Sequence, residues 1–478
     1  MAKMHSSIAI RVTFAFLASA SLSAARAGAQ ISLGDALREA DRSSYGNRIA
    51  RGSADVQSAQ TLSPLKGILP SVRFEGGYLR TTDPIGVFGA TLRQRAVSPA
   101  NFEPQRLNYP PAIGNYQSAI VLEQPLFNAD AWNGRTAAIR SARASLARQD
   151  WTGLTIRVEV VRAYYGAVLA MERSATLQAS ANAAHAHVRQ AEAMVRQGLV
   201  TKSDALLAAV RAGDIDAQLA EARGNATTAL RQLAVALGRD GTLSRDMTAT
   251  AHLPTTNRIR AVITAADTME TVPAPRADLR AASEGLAAAR ADERRARSAY
   301  LPRLNSFARY DWNSPDRLYG GDRNWTVGIL ASWSPFTGAS EIGDIRAATG
   351  RVKIAEAQAA AARATAHLEV EQTRTVLMVA LTRLEIAERA VAQSAEAHRI
   401  VGRKYEGGLA TVTELLDAQA AETQSALALS QARWSTIIAA AERRLALGGD
   451  PGSLQALDDV VPDGSASQQT SIGSDHND

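Results

Sequence analysis

The chain contains the stretch Gly198-Leu199-Val200-Thr201-Lys202-Ser203-Asp204 and repeats its pattern 210 positions later as Gly408-Leu409-Ala410-Thr411-Val412-Thr413-Glu414. Each copy has a glycine, a leucine, a threonine and then an acidic residue six positions after the glycine. Glycine permits the positive φ of a tight turn, and threonine caps the helix that follows. The repeat therefore predicts two helical hairpins with matching ends, the first tip (197–202) and the second tip (406–412).

The amino terminus has the pattern of an export signal. Basic residues up to Arg11 precede an apolar run from 12 to 22, and the small-residue pattern Ala27-Gly28-Ala29 follows. We expect residues 1–29 to be removed as a signal peptide. The run is too short for a membrane anchor, and no later run reaches the ~18 apolar residues that a spanning helix needs.

Composition narrows the classes of protein further. The 478 residues include no cysteine, so the fold uses no disulfide and has no thiol for a lipid anchor at its amino end. The net charge of +6 comes largely from arginines spread along helical stretches. Such charges indicate solvated faces, and with export they predict no nucleic-acid partner.

A second repeated element is a pair of short strands in each half. The residues 69–74 match 301–306, and 115–127 match 324–336. The offset is 232 for the first match and about 210 for the second, so the first half carries a longer loop between its strands. That loop, about 79 to 114, is rich in proline, which rules out ladder structure and indicates an exposed loop.

The strands resemble those of a membrane barrel. In the last strand Trp325, Val327, Ile329 and Trp333 alternate with small or polar residues, with Leu330 as the exception. From Trp325 to Trp333 is roughly 26 Å at ~3.3 Å per residue, which matches an outer-membrane apolar band of ~25 Å between aromatic girdles. A soluble sandwich strand alternates in the same way, but four such strands in an exported chain favour a barrel. Four strands cannot close one, so we expect an obligate homo-oligomer.

Between strands and tips the chain is helical. The segments 129–197 and 338–406 contain no proline, and each would reach roughly 100 Å as a continuous helix. Val370, Leu377 and Leu384 recur every seven residues, which predicts a coiled coil. Four half-length helices are expected, and Ser32 is the predicted N-cap of the first. They span 32–66, 203–237, 276–300 and 413–447.

The predicted organisation has five parts. It comprises a signal peptide (1–29), a first repeat (30–238), an equatorial connector (239–275), a second repeat (276–447), and a carboxyl-terminal equatorial segment that runs into a disordered tail (448–478). The strand pairs are expected at about 70–80 and 115–126 in the first repeat, and at about 303–312 and 324–334 in the second.

These residues resemble the TolC-like outer-membrane efflux protein family over nearly the whole chain after the signal peptide. The most specific parts are the Leu-Pro strand entries, the strand exit Gln124–Asn128 and the two Gly-Leu-x-Thr tips. The resemblance implies a mixed α+β membrane protein of a Gram-negative outer membrane. It implies a homotrimer with a 12-stranded β-barrel, four strands per chain, continued by a long periplasmic α-helical coiled-coil barrel. Its partners would be outer-membrane lipid, a periplasmic adaptor (membrane fusion) protein and an inner-membrane pump of RND, ABC or MFS type.

The resemblance also assigns roles to residues at the tips. It implies that Gly198, Leu199, Val200 and Thr201, with Gly408, Leu409, Ala410 and Thr411, form turns that dock the adaptor. Glu414 and Asp417 match acidic positions that ring the periplasmic gate, where three chains would bring six carboxylates together. Tyr405 and Asp204 match a hydrogen-bonded pair that latches the closed state. A family arginine two residues after the second tip glycine is replaced by Ala410, so one ionic latch is missing.

No catalytic, cofactor or metal site is predicted. His185 and His187 are two residues apart and point to different helix faces, while His367 and His398 are expected alone on the solvent side. The chain has no phosphate-binding glycine loop and no cysteine nucleophile. We therefore expect no enzymatic activity. The leading hypothesis is a passive exit duct for efflux or type I secretion, and the alternative is a trimeric coiled-coil structural or adhesive surface protein.

Overall fold

The computed structural model describes residues 31–242, 252–269 and 276–458. The predicted signal peptide, part of the predicted connector and the predicted disordered tail lie outside these residues. Within them the fold is helix-rich α+β, with ten α-helices and four strands. The elements in chain order are α1 (Leu33–Ser43), α2 (Tyr45–Gln60), β1 (Ser71–Thr81), α3 (Pro84–Arg93), α4 (Pro104–Asn108), β2 (Ile113–Phe127), α5 (Ala129–Arg196), α6 (Lys202–Ala236), α7 (Thr256–Met269), α8 (Ala277–Ser298), β3 (Arg303–Ser314), β4 (Asp322–Ser332), α9 (Ser340–Glu406) and α10 (Val412–Ala446).

The first half-length helix begins as predicted but is broken in two. The Ser32 side chain accepts a hydrogen bond from the backbone N–H of Asp35 at 3.1 Å, which confirms its predicted role as N-cap. A single helix over 32–66 was wrong, because Ser44 adopts an extended conformation and its hydroxyl caps α2. A local side-chain hydrogen bond thus competes with helix continuation at this position.

The proline-rich loop is more regular than expected. It contains α3, α4 and a 3₁₀ turn at Pro99–Phe102, and each begins at or next to a proline. Proline has no backbone N–H. The first turn of a helix does not need that donor, whereas the ladder of a strand does, so proline can start a helix but disfavours a strand. Between the end of β1 and the start of β2 the segment contains no strand, as predicted, and the predicted exposed loop carries these short helices.

The four strands form one antiparallel sheet in chain order, β1-β2-β3-β4. The register aligns Phe74, Ile120, Tyr310 and Trp325 in one row on one face. The neighbouring row on the opposite face is Arg73, Val121, Arg309 and Thr326. One face is thus apolar and the other carries charge. β1 and β4 are the two outer strands, and each has one unpaired edge within the chain.

On the polar face the charged side chains are paired. Arg309 contacts Glu75 at 2.8 Å and Asp311 at 2.6 Å, and Arg73 donates to Glu123 at 2.9 Å. Side chains opposite each other on a sheet face are close enough for such pairs. The arrangement places a polar network on one side of the sheet only.

Two long helices and six shorter ones form the helical part below the sheet, the shorter ones being α1, α2, α6, α7, α8 and α10. α5 has 68 residues and α9 has 67, while α6 and α10 have 35 each. The first half of α5 packs between α2 and α8, and the second half packs beside α6 and α10. α9 packs against α8 and then α10, so the helical layer has α2 and α6 at one edge and α9 at the other.

None of the helices in the described part of the chain has the length and apolarity required to cross a lipid bilayer.

The largest core lies near the middle of α5, where α1, α10 and the 3₁₀ turn Pro451–Leu457 pack around it. Tyr164 and Tyr165 are fully buried there, with ring centroids 5.1 Å apart. The Tyr165 hydroxyl donates to Asp458 at 2.9 Å, and the other oxygen of Asp458 accepts from the N–H of Leu33 at 2.8 Å. This core ties both ends of the described chain to the middle of the long helices.

Candidate functional site

Both tips turn through the same backbone geometry. Gly198 has φ +72° and Gly408 has φ +73°, in the left-handed region that glycine favours. The N–H of Leu199 bonds the carbonyl of Met194 at 2.9 Å, and the N–H of Leu409 bonds that of Lys404 at 2.8 Å. These bonds, with those from each glycine N–H, satisfy the last carbonyls of the long helix as a Schellman motif.

Both returning helices begin with a capping box. Asp204 N–H donates to Thr201 Oγ1 at 3.2 Å, while Thr201 N–H donates to the Asp204 carboxylate at 3.0 Å. The second tip repeats this with Thr411 and Glu414 at 3.3 and 2.6 Å. Each box satisfies two backbone donors that a helix start leaves open. The predicted threonine caps and positive-φ glycines are confirmed.

The leucine of each tip points into solvent. Leu199 is 65% exposed and Leu409 is 82% exposed, although leucine is costly to leave in water. The following Val200 and Ala410 are half-buried. Each tip therefore presents one apolar side chain on a hydrogen-bonded turn.

Behind the tips, a small core joins the two hairpins. It contains buried side chains from all four helices, namely Ala191, Ala208, Tyr405, Val412, Leu415 and Leu416. Leu415 is only 2% exposed. The second tip is thus packed against the first within one chain, and the hairpins do not project separately.

The expected hydrogen bond between Tyr405 and Asp204 is not present. Tyr405 is 4% exposed, and its hydroxyl donates to Met194 Sδ at 3.4 Å. Asp204 directs its carboxylate to Thr201 instead, because the helix cap uses it. The two side chains are still close: burial raises the pKa of Tyr405, and the negative charge of Asp204 raises it further. The pair is adjacent but not bonded in this state.

The acidic pair of the second tip faces away from the core of its own chain. Glu414 and Asp417 are both exposed, whereas Leu415 and Leu416 between them are buried. The N–H and hydroxyl of Thr411 hold the pKa of the Glu414 carboxyl below its ordinary value. Both side chains are therefore exposed on a side that a neighbouring copy or an aqueous passage could meet, and the Glu414 carboxylate also caps α10.

The histidines of the lower helices are less isolated than predicted. The His398 imidazole lies with Nδ1 2.5 Å from a Glu422 oxygen, and its ring centroid is 6.4 Å from that of His187. Burial lowers the pKa of His187, and the neighbouring His398 lowers it further. The expectation that His398 stands alone was wrong, because its partners come from α5 and α10. Among the described residues, no group of three or more acidic or histidine side chains is arranged to hold a metal ion.

Comparison with known proteins agrees with this geometry. The profile of the family described as outer membrane efflux protein matches residues 67–239 and 270–449. No curated protein sequence matches the chain.

Several solved structures share the fold. The CmeC outer membrane channel of Campylobacter jejuni gives a TM-score of 0.73 at 16% identity, covering 87% of this chain and 86% of that one. The outer membrane protein VceC of Vibrio cholerae gives 0.71 at 20% identity, covering 87% and 96%. The MtrE outer membrane channel of Neisseria gonorrhoeae, solved in an open state, gives 0.67 at 19% identity, covering 87% and 89%.

Proposed function

Since the chain belongs to the outer membrane efflux protein family, we propose that it is the outer-membrane exit duct of a tripartite efflux or type I secretion system. Three copies form the duct. It conducts drugs or other cargo passively from an inner-membrane pump, through a periplasmic adaptor, to the outside. The inner-membrane pump provides the energy.

The observation that carries the proposal is that the two outer strands of the sheet have unpaired edges that could pair with each other between copies. β1 and β4 leave one edge each without partners. Unpaired backbone groups in lipid cost several kcal/mol each, so an open sheet is not tolerated there. Joining β4 of one copy to β1 of the next removes both edges. With four strands per copy, three copies give a closed barrel of 12.

The two sheet faces fit such a barrel. The exposed apolar row that includes Phe74 and Trp325 would meet lipid, and the paired charges around Arg309 would face the aqueous lumen. Outer-membrane barrels alternate apolar and polar side chains along each strand for this reason. The opposite orientation would place the Arg309 network in hydrocarbon.

The helical edges support the same closure. Exposed apolar side chains lie along α2 and α6 at one edge, among them Ile49 and Val210, and along α9 at the other, among them Ile354 and Leu368. Burying such stripes favours association by roughly 25 cal/mol per Å² of apolar surface. α5 and α9 are long enough for a helical tunnel of ~100 Å, at ~1.5 Å per residue.

The tips are the proposed contact with the adaptor. Leu199 and Leu409 supply the apolar contacts, and the Schellman turns and capping boxes hold them in place. The carboxylates of Glu414 and Asp417 from three copies would form a ring of six at the end of the tunnel. Such a ring creates a negative potential that attracts cations.

Cysteine cross-linking tests the closure directly, since the chain has no native cysteine. Val72→Cys on β1 is combined in turn with Val327→Cys, Ile329→Cys or Ala331→Cys on the same face of β4. We expect at least one pair to give a covalent trimer on non-reducing gels after oxidation in outer membranes. Val72→Cys with Ala308→Cys is the control, because β3 is an interior strand. Monomers in every pair would contradict the proposed barrel.

Ion selectivity tests the gate. Glu414→Gln with Asp417→Asn should lower the cation-to-anion permeability ratio of the purified channel in planar bilayers several-fold. The control, Asp214→Asn with Glu396→Gln, removes the same charge from exposed positions outside the second tip. An unchanged ratio in the gate variant would remove Glu414 and Asp417 from the conducting path.

The phenotype of a deletion strain distinguishes the proposed duct from an adhesive stalk. Loss of the gene should increase drug susceptibility or abolish secretion of a protein substrate. Altered surface adhesion with unchanged export would favour the stalk.

A further inference from the structure

A cavity of about 610 Å³ lies between α5, α9 and α10, below the large core. Its wall includes the apolar side chains of Leu169, Ile386 and Leu427, and Arg173 and Arg383 also line it. Pockets for small organic ligands have volumes of roughly 300–1,000 Å³ and are mostly apolar with a few placed polar groups. The cavity has this size and composition.

Neither of its two arginines, Arg173 and Arg383, forms an ion pair with any residue of the described ranges. No acidic side chain lines the cavity, and the Glu172 carboxylate behind its wall accepts a hydrogen bond from the lining Ser430. Many other arginines are paired, such as Arg389 with Glu385, less than two turns further along α9. Two guanidinium groups beside an apolar wall are suited to an anion carried on an apolar body.

The internal repeat relates the two arginines to each other. Arg173 and Arg383 are 210 positions apart, the same offset that relates Gly198 to Gly408. They therefore occupy equivalent places on α5 and α9, the two long helices. α10 lies between these helices, so the cavity is complete within one chain.

The cavity opens on the face of α10 that carries the gate acid. Gln424 and Gln431 line it, and Asp417, Gln424 and Gln431 recur every seven residues. Residues seven apart share one face of a coiled-coil helix. Ile438, the next position of this series, is buried in the large core, so this face of α10 is open only below that core. If Asp417 faces the tunnel, as the proposed function requires, the cavity faces it too.

We propose that this cavity is a binding site for an anionic amphiphile inside the tunnel. The apolar body lies against Leu169, Ile386 and Leu427, and a carboxylate or sulfonate contacts Arg173 and Arg383. The amides of Gln424 and Gln431 are available to hydrogen-bond polar groups on the ligand. The route of entry rests on the proposed function, whereas binding itself depends only on this chain.

The test uses two fluorescent probes with the same apolar body. One is 8-anilinonaphthalene-1-sulfonate, which is anionic, and the other is N-phenyl-1-naphthylamine, which lacks the sulfonate. Binding is titrated on the full-length protein in nanodiscs for wild type, Arg173→Gln with Arg383→Gln, and the lysine double variant. Arg389→Gln is the matched control, since it removes an exposed charge of α9 that does not line the cavity.

We expect the glutamine double variant to raise the Kd of the sulfonate about tenfold and to leave that of the uncharged probe unchanged. The lysine variant should retain most of the sulfonate affinity, and Arg389→Gln should bind both probes as wild type. Equal sulfonate Kd in wild type and the glutamine variant would overturn the site, as would an equal loss in Arg389→Gln.

Ion conduction by the same proteins in planar bilayers separates this inference from the proposed function. Absence of conduction in wild type would contradict the duct. Normal conduction, together with a sulfonate Kd that is the same with and without Arg173 and Arg383, would contradict the amphiphile site alone.

Discussion

The first and second tips have the same backbone conformation, but the helices that follow them bury different side chains. Each ends a long helix on a positive-φ glycine and starts the next with a threonine cap. Behind the second cap, Leu415 and Leu416 are buried in the core that joins the hairpins. At the first, Leu206 occupies the place equivalent to Leu416 and is 58% exposed. The turn is local, whereas the packing depends on which helix lies at the edge of the chain.

That difference separates two kinds of contact. The second hairpin is held by its own chain, through Tyr405, Leu415 and Leu416. The first places apolar side chains of α6 on an open edge, where the proposed assembly puts α9 of the next copy. Both tips therefore present a similar surface to a partner protein. Of the two helices that follow the tips, however, only α6 has exposed large apolar side chains left for contact with the next copy.

The largest effect should come from shortening the buried leucine. Leu415→Ala removes packing from a site that is nearly fully enclosed, and such changes cost about 2–5 kcal/mol. Hydrogen exchange in the first turns of α10 should accelerate accordingly. Leu206→Ala should leave that exchange unchanged and lower the temperature at which the proposed trimer dissociates in detergent. If both variants altered the same observable, the two tips would not differ as described.

Replacing either turn glycine tests what the tips share. A Cβ at Gly198 or Gly408 meets no atom within 4 Å, so the cost of alanine is conformational alone. We expect about 1–2 kcal/mol of local destabilisation for each, measured by hydrogen exchange at the tips. Gly407→Ala is the control, because Gly407 has φ −83° and needs no left-handed conformation. Unequal costs for Gly198→Ala and Gly408→Ala would show that the turns are not equivalent.

Removing the caps should have a smaller and again matched effect. Thr201→Ala and Thr411→Ala each lose a side-chain acceptor for the helix start, at about 1 kcal/mol. Hydrogen exchange at the first turn of α6 or α10 measures this loss of local stability. Thr413→Ala changes an exposed threonine in the same first turn of α10 that is not the cap, and it should be nearly silent.

The stability of the helix start at the second tip should also depend on pH. Hydrogen bonds from Thr411 lower the pKa of Glu414, so the ionised carboxylate stabilises the folded state. This contribution is present above the ordinary glutamate pKa of about 4.3 and is lost as the pH falls through the lower folded value. Protection of the first turn of α10, corrected for intrinsic exchange, should fall over that window. Glu414→Gln should abolish the fall, and a fall of the same size in that variant would point to another group.

The smallest effect is expected for Tyr405→Phe. The hydroxyl donates to a thioether, which is a weak acceptor, and the ring keeps its packing. Local stability should change by less than about 0.5 kcal/mol, and single-channel conductance should not change. Tyr405→Ala, which empties the buried site, serves as the contrast. A rise in conductance for Tyr405→Phe would restore the latch between Tyr405 and Asp204.

The features that the sequence predicted correctly at the tips are local ones. The Gly-Leu-x-Thr pattern contains both the residue that ends one helix and the residue that caps the next, and so the turns follow from adjacent residues. The same holds for Ser32 at the start of α1. The break at Ser44 was missed because a serine inside a helical pattern has no unique outcome.

The errors at His398 and Tyr405 concern contacts between different helices. His398 meets Glu422 when α9 and α10 pair, whereas its contact with His187 and that of Tyr405 with Met194 form only after the two hairpins pack together. No pattern within one helix reveals such partners. For Arg173 and Arg383 a signal did exist, because the 210-residue offset of the tips also relates these two arginines.

The open edges of the sheet also have a consequence for biogenesis. A single copy in transit exposes two strand edges and a face with Phe74, Trp325 and Ile329, the features that drive strand-to-strand aggregation. The helical part has its own cores and can fold first in water. In the proposed assembly, the sheet gains its stability only when neighbouring copies pair with its two outer strands. Folding of the strands, association of the copies and entry into the membrane should therefore occur as one coupled event, with periplasmic holding factors needed until then.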